Sequence, residues 1–347
     1  MAADYSFREF QESQQRTLDR AVRAHQAYRE AVQASRPFKG GMHWKKIAGR
    51  EYLYKYRDRY GHGRSLGARS PDTEGMWADF TAQRREAAAR LGKQRQLLAE
   101  AARFCRAALI HRVPDPVTRI LRYLTEGDLS GGPVMVIGTQ ALAAYEFAAG
   151  VFIEAPKASP FWSGAGSRLT LAAPAAIPPA ELLARLRRAD RSFQALPGPG
   201  FVAVNKTGFR VSFLTPPTVR PPHRIRVKDA PSPPVPAAAG DLAALVHSPK
   251  FSQVVIGRRG DPVTMVVPDP RALALHKLWL SQQEDREPAA RSRDRSQASA
   301  LVELILRYLP QYYFFSAELH LFPAEAIRQA EGLVEGYEVD GDLEGDY

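Results

Sequence analysis

The spacing of apolar and polar positions changes along the chain, and each change marks an element. Over residues 5–35, Phe7, Phe10, Leu18, Ala21, Ala24 and Tyr28 form an approximate helical stripe amid Gln and Arg. This predicts one helix, stopped by Arg36-Pro37 and Gly40-Gly41. From His43 to Arg57 the pattern alternates on both sides of Ala48-Gly49-Arg50, as in a β-hairpin. Gly61–Glu74 reads as a glycine-rich loop. Ser70-Pro71-Asp72-Thr73 then opens a long helix whose apolar positions run from Met76 and Trp77 to about Leu109. A shorter helix, Pro116–Leu124, follows.

The centre of the chain is sharper. After the Gly131-Gly132-Pro133 break, Val134–Ile137 is a short apolar run of buried-strand type. It stops at Gly138-Thr139, and from Gln140 a helical pattern (Leu142, Tyr145, Ala149) runs to Gly150. A strand, a glycine turn and a helix N-terminus can hold an anion such as a triphosphate, although any tight α/β connection looks the same. Val151–Glu154 is the next strand, followed by an irregular stretch to Arg168. Pro178–Arg188 is helical, Phe193–Leu196 and Gly200–Asn205 are short β segments, and Phe209–Leu214 alternates as a strand does. After the proline-rich stretch Thr215–Pro236 come strands at Phe251–Ile256 and Pro262–Val267. Helices at Ala272–Gln283, about Arg293–Tyr308 and Ala324–Gly336 complete the chain. We expect Val134–Ile137, Val151–Ile153 and Phe209–Leu214 in one sheet, with the Gln140–Ala149 helix against it.

Composition bounds the rest. The 347 residues are 45% hydrophobic, enough for a sizeable core. No apolar run approaches the about 20 residues of a membrane helix, and MAADYSFREF lacks the apolar centre of a signal peptide. A cytoplasmic protein is expected, with no membrane partner. The single cysteine, Cys105, has no partner for a disulfide and reads as a buried, inert thiol. Charge is uneven: residues 1–133 hold 25 Lys and Arg against 15 Asp and Glu, whereas 134–347 hold 23 against 22. The basic N-terminal third suits a phosphate polyanion, so nucleotide or nucleic acid is the expected partner there, with a protein partner as the further candidate. The acidic end, EVDGDLEGDY, reads as a disordered tail. The expected organisation is a basic, mainly helical extension at 1–130 with its hairpin near 43–57, an α/β core at 131–267, a helical region at 268–336 and the tail at 337–347.

Val136-Ile-Gly-Thr-Gln-Ala-Leu142, Gly208-Phe-Arg-Val211 and Pro268-Asp-Pro-Arg-Ala-Leu-Ala-Leu-His-Lys-Leu-Trp279 together resemble the bacterial nucleotidyltransferase-fold proteins of the DNA polymerase β superfamily. The similarity extends to a branch with a helical N-terminal extension, through Tyr52-Leu53 and Ser65–Glu74, and covers roughly residues 40–330. It implies an α+β fold, a mixed sheet flanked by helices, preceded by the hairpin-bearing helical extension and followed by helices. It also implies nucleotidyl transfer, in which two carboxylates two apart on one strand and a third on a neighbouring strand hold two Mg²⁺ ions around the α-phosphate. Gly138 and Thr139 would take the triphosphate, and Lys277 would add a phosphate contact from the helix after the sheet. Lys157 and Lys206 are the other basic candidates for nucleotide binding.

The carboxylates are where the chain departs from this pattern. The best register places Ala158 and Pro160 at the Asp-x-Asp positions, beside Lys157, and Ser212 at the third. Glu154 is the one acid between Gly150 and Arg168, and Asp340-Gly-Asp342 lies in the tail. Three functions follow. The first is a nucleotidyltransferase-like protein with a degenerate metal site, binding a nucleotide, nucleic acid or protein and needing no cofactor. The second is an active Mg²⁺ enzyme using Glu154 with Asp190, Asp229 or Asp269. The third is a non-enzymatic interaction protein unrelated to the family.

Overall fold

The computed structural model describes residues 4–56, 62–124, 134–198, 200–216, 238–314, 319 and 322–342, with backbone alone at 238–241 and 338–342. The Gly131–Pro133 break, the proline-rich stretch from 217 on, Asp229 and residues 343–347 lie outside the described residues. In chain order the elements are β1 (Ser6–Glu9), α1 (Glu12–Ser35), β2 (Gly41–Ile47), β3 (Arg50–Tyr56), β4 (Gly63–Ala68), α2 (Pro71–Ala107), α3 (Asp115–Leu124), β5 (Met135–Ile137), α4 (Leu142–Ala149) and β6 (Val151–Glu154). They continue with β7 (Arg168–Ala172), α5 (Pro179–Ala189), β8 (Gln194–Leu196), β9 (Phe201–Val204), β10 (Arg210–Leu214), α6 (Ala238–His247), β11 (Lys250–Ile256), β12 (Pro262–Pro268), α7 (Pro270–Gln282), α8 (Pro288–Tyr308) and α9 (Ala324–Asp342). No described helix is long and apolar enough to cross a membrane.

Two compact units result: Met1–Gln15 with His111–Arg258 and Val263–Tyr347, and Arg16–Ile110 with Arg259–Pro262. The first is built on a five-stranded mixed sheet of order β5-β7-β10-β9-β8, in which β7 and β10 are parallel and the other pairs antiparallel. Its register follows from period-2 patterning. Leu169, Leu171, Val211 and Phe213 are buried, which turns Arg168, Thr170 and Ser212 to the opposite face. Thr170 stands opposite Ser212, and Arg168 opposite Arg210.

Three expectations are corrected here. Val151–Glu154 leaves the main sheet and pairs antiparallel with β1, Ser6 against Glu154 and Glu9 against Val151. Gly150, left-handed at φ 68°, reverses the chain directly after α4, while β7 takes the place beside β5. Among the strands, α4 packs chiefly against β6 and β11. The single helix expected over 5–35 begins instead as a strand. Phe7 packs on Tyr5 and Tyr308, Arg8 pairs with Glu154, and the helix starts at Glu12, where Gln14 caps the Gln11 N–H. At the other end α9 runs to Asp342, beyond the expected start of the disordered tail. Buried Ala330 and Val334 and a 2.6 Å hydrogen bond between Tyr337 and Tyr5 anchor it.

The second unit joins α1 and α2 to a three-stranded antiparallel sheet of order β2-β3-β4. The hairpin expected near 43–57 is β2 and β3, and the glycine-rich segment after it supplies the additional strand β4. Ser70 and Thr73 form a capping box at the start of α2. Cys105 on α2 is fully buried, and burial pushes its thiol up to about 12, so it stays protonated and unreactive. The β2–β3 turn has positive φ at both central residues, Ala48 (47°) and Gly49 (80°). This geometry is easy for Gly and Asn but strained for Ala. Ala48→Asn is therefore expected to stabilise the protein by about 0.5–1 kcal/mol, seen as a higher urea midpoint at unchanged slope. An unchanged midpoint would show that the turn carries no such strain.

Candidate functional site

β5 ends at Gly138, whose φ of 73° turns the chain into a short 3-10 segment, Gly138–Ala141, that runs on into α4. This turn lines a cavity of about 420 Å³ in the α/β unit. The sheet contributes Arg168, Thr170 and Ser212, and the helical region contributes His276, Lys277, Arg286, Arg293 and Asp294. Sequence patterning thus brings the expected Gly138, Thr139 and Lys277 to one place. The segment between β6 and β7 forms the adjoining wall. Gln140 donates to the Ala165 carbonyl, and buried Gln297 donates to the Phe161 carbonyl and, at 3.2 Å, to Thr139 Oγ1.

Lys277 is 1% exposed, and its Nζ lies 3.2 Å from Asp294 Oδ1 and 2.5 Å from Gln297 Oε1. Asp294 Oδ2 also accepts from Arg286 Nε at 2.8 Å and lies 3.8 Å from Arg293. Burial alone would raise the Asp294 carboxyl, but Lys277, Arg286 and Arg293 together hold it below the usual carboxylate range. The same burial lowers the Lys277 amine to about 8, with Asp294 opposing. Arg293 Nε is buried without a hydrogen-bond partner among the described residues. Among the described lining residues four cations, Arg168, Lys277, Arg286 and Arg293, face one carboxylate, Asp294.

The carboxylate register inferred from sequence is wrong. Ala158 and Pro160 sit in the turns and 3-10 segment before β7, not on a strand. The positions two apart on one strand and opposite Ser212 are Arg168 and Thr170. Their polar-apolar alternation, Arg168-Leu-Thr-Leu171, was the available signal for a strand. The length of the preceding wall segment, which no local pattern encodes, hid the register. Arg286, Arg293, Asp294 and Gln297 were missed too. The signal available for the last three was a cluster of polar residues, three and four apart, on an otherwise buried helix face.

Lys157 and Lys206 do not line the cavity. Lys157 is exposed in a turn whose Ser159 bonds Asp4, and Lys206 is exposed in the β9–β10 turn, its N–H bonded to Ser192. The alternative carboxylates also lie elsewhere. Glu154 pairs with Arg8, Asp190 holds Ser192 and Asn205, and buried Asp269 caps α7 and pairs with Arg271. Mg²⁺ requires oxygen ligands in near-octahedral array, generally with carboxylates among them. One guanidinium, two neutral hydroxyls and a carboxylate already shared by three cations do not fit two such ions. Among the described residues no three His, Cys, Asp or Glu side chains gather as a metal site.

A family model described as nucleotidyltransferase matches residues 115–319, more than half of the chain. No curated protein and no solved structure matches significantly. A glycine turn leading from strand to helix, a mixed sheet facing it across a cavity, and this matched span agree, and the chain belongs to the nucleotidyltransferase family, with the DNA polymerase β-like fold and a helical N-terminal extension.

Proposed function

We infer that the α/β unit binds the phosphates of a nucleotide directly through its cationic cavity, and that the two-metal transfer chemistry of its fold is absent. The observation that carries this reading is that the sheet residues lining the cavity with Gly138 and Thr139, two positions two apart on β7 and one on β10 opposite Thr170, are Arg168, Thr170 and Ser212, none of them a carboxylate. Guanidinium groups pair with phosphate oxygens in bidentate fashion and need no ion between them. Arg293 lines the cavity beside Asp294, from which its guanidinium lies 3.8 Å away. Lys277 contributes chiefly by holding Asp294 and Gln297, and through Gln297 the Thr139 hydroxyl.

Titration calorimetry with ATP, and with inorganic triphosphate, tests this in Mg²⁺ and in EDTA. Affinity should be the same or higher in EDTA. Arg286→Gln and Arg293→Gln should each weaken it about tenfold, a loss of about 1.4 kcal/mol, while Glu154→Ala leaves it unchanged. Binding that tightens with Mg²⁺, or Mg²⁺-dependent transfer of a labelled nucleotide to an acceptor in cell extract, would overturn the reading.

A further inference from the structure

The second unit carries a surface that the cavity does not explain. Residues 16–110 hold 21 Lys and Arg against 9 Asp and Glu, more than the entire net charge of +11, so the rest of the chain is close to neutral. Within this unit one face of the three-stranded sheet is packed. Leu53 is fully buried, Lys55 lies over the Phe80 ring on α2, Phe38 packs against Phe80, and Arg69 covers Trp44. Because side chains alternate across a strand, the opposite face carries Tyr52, Tyr54 and Tyr56 in a row along the central strand β3. Beside them on β2 stand exposed His43 and Lys45, opposite Tyr54 and Tyr52, with exposed Arg50 at the turn.

This face is arranged for flat rings. Tyr54 and Tyr56 are stacked, with centroids 6.1 Å apart and planes 24° from parallel, and His43 adjoins Tyr56 at 5.9 Å. The Lys45 ammonium sits 5.5 Å from the Tyr54 ring centroid. Across the other edge, the β4 residues opposite Tyr52, Tyr54 and Tyr56 are Ala68, Ser65 and Gly63, too small to cover a ring. At Gly63 a Cβ would come within 2.9 Å of the Tyr56 ring, so the smallest residue is required there. A row of partly exposed aromatic rings, flanked by cations on one side and by small residues on the other, matches the chemistry of single-stranded nucleic acid. Bases stack on such rings while Lys and Arg neutralise the backbone. An acidic protein would match the charge but would leave the aligned rings without a role.

We propose that this sheet face binds single-stranded nucleic acid by stacking bases on Tyr54 and Tyr56, with Lys45 and Arg50 on the phosphates. The test is fluorescence anisotropy of the full chain with labelled single-stranded RNA and DNA of about a dozen nucleotides, competed by a duplex of equal charge. Tyr54→Ala and Tyr56→Ala should each weaken binding about tenfold with an unchanged thermal midpoint, whereas Tyr54→Phe and Tyr56→Phe, which keep the ring, should retain it. Lys45→Gln and Arg50→Gln, both at exposed positions, should each lower the slope of log affinity against log salt by about one. Preference for RNA over DNA would assign a reading of the 2′-hydroxyl, and equal affinity a reading of base and phosphate alone; both support the site. Equal competition by the duplex, or Ala variants that fold and bind as the wild type does, would overturn it. If the Ala variants unfold, unchanged salt slopes in Lys45→Gln and Arg50→Gln would overturn it as well.

Discussion

Asp294→Asn is expected to destabilise the protein by about 3–5 kcal/mol, because it leaves the buried Lys277 ammonium without its counter-charge and adds the repulsion of Arg286 and Arg293. Lys277→Met should cost less, since Asp294 keeps Arg286 at 2.7 Å. The order of the two losses is the test, read from urea unfolding at neutral pH. A loss below about 1 kcal/mol for Asp294→Asn would mean the pair is solvated rather than buried. The two variants also differ with pH. Burial holds the folded-state Lys277 amine at about 8, below the unfolded value of about 10.4. Between these values the unfolded chain binds more protons, so wild-type stability should rise with pH across that window. Lys277→Met should lack this rise.

Arg112→Met should be of similar size, about 3–5 kcal/mol, for the opposite charge. Glu146 is fully buried on α4. Arg112 holds it through contacts of 2.9–3.1 Å, the Ile153 N–H donates to it at 2.7 Å, and Arg112 also donates to the Ile153 carbonyl at 2.5 Å. Burial raises the Glu146 carboxyl even with Arg112 present, so the folded state retains a proton that the unfolded chain gives up, and stability falls as pH rises through the interval between the two values. Without Arg112 that interval widens, and acidification should restore part of the lost stability. Arg112→Met with Glu146→Leu should recover most of the loss, because no buried charge remains. A single variant whose deficit is the same at pH 5 and pH 8 would contradict this.

What could be read from the sequence was what short-range pattern encodes. Val134–Ile137 with Gly138, the alternation of Phe209–Leu214, the Ser70 cap and the Ala48-Gly49 turn each carry their signal within a few residues, and each stands in the structure as expected. The strand at Ser6–Glu9 was missed because four residues with Phe7 and Phe10 nearby satisfy a helical stripe as well as an alternation, and only pairing with Val151–Glu154 decides between them. The cavity was half legible. Gly138 and Lys277 lie in recognisable segments, but Arg168, Arg286 and Asp294 meet only through tertiary packing. The position of β7 in the sheet depends on a wall held by Gln140 and Gln297, whose hydrogen bonds to carbonyls leave no periodic trace.

The long helix α2 is buried only near its two ends, at Thr73 and Phe80 and again at Ala101 and Cys105. Between them only a narrow half-buried stripe, Ala87, Leu91, Gln94 and Leu98, links the two ends, and the exposed Ala, Gln, Glu and Arg around it maintain the helix by intrinsic propensity. Substitution and insertion in this segment therefore act on two quantities with different freedom. Composition can drift, since one good helix former replaces another at small cost. Length cannot, because each inserted residue turns the far anchor by about 100° and pushes it along by about 1.5 Å. An insertion of seven residues restores the facing to within about 20°, but it moves the anchor by two turns. What this helix sets is a spacing, written largely in residues that are individually replaceable.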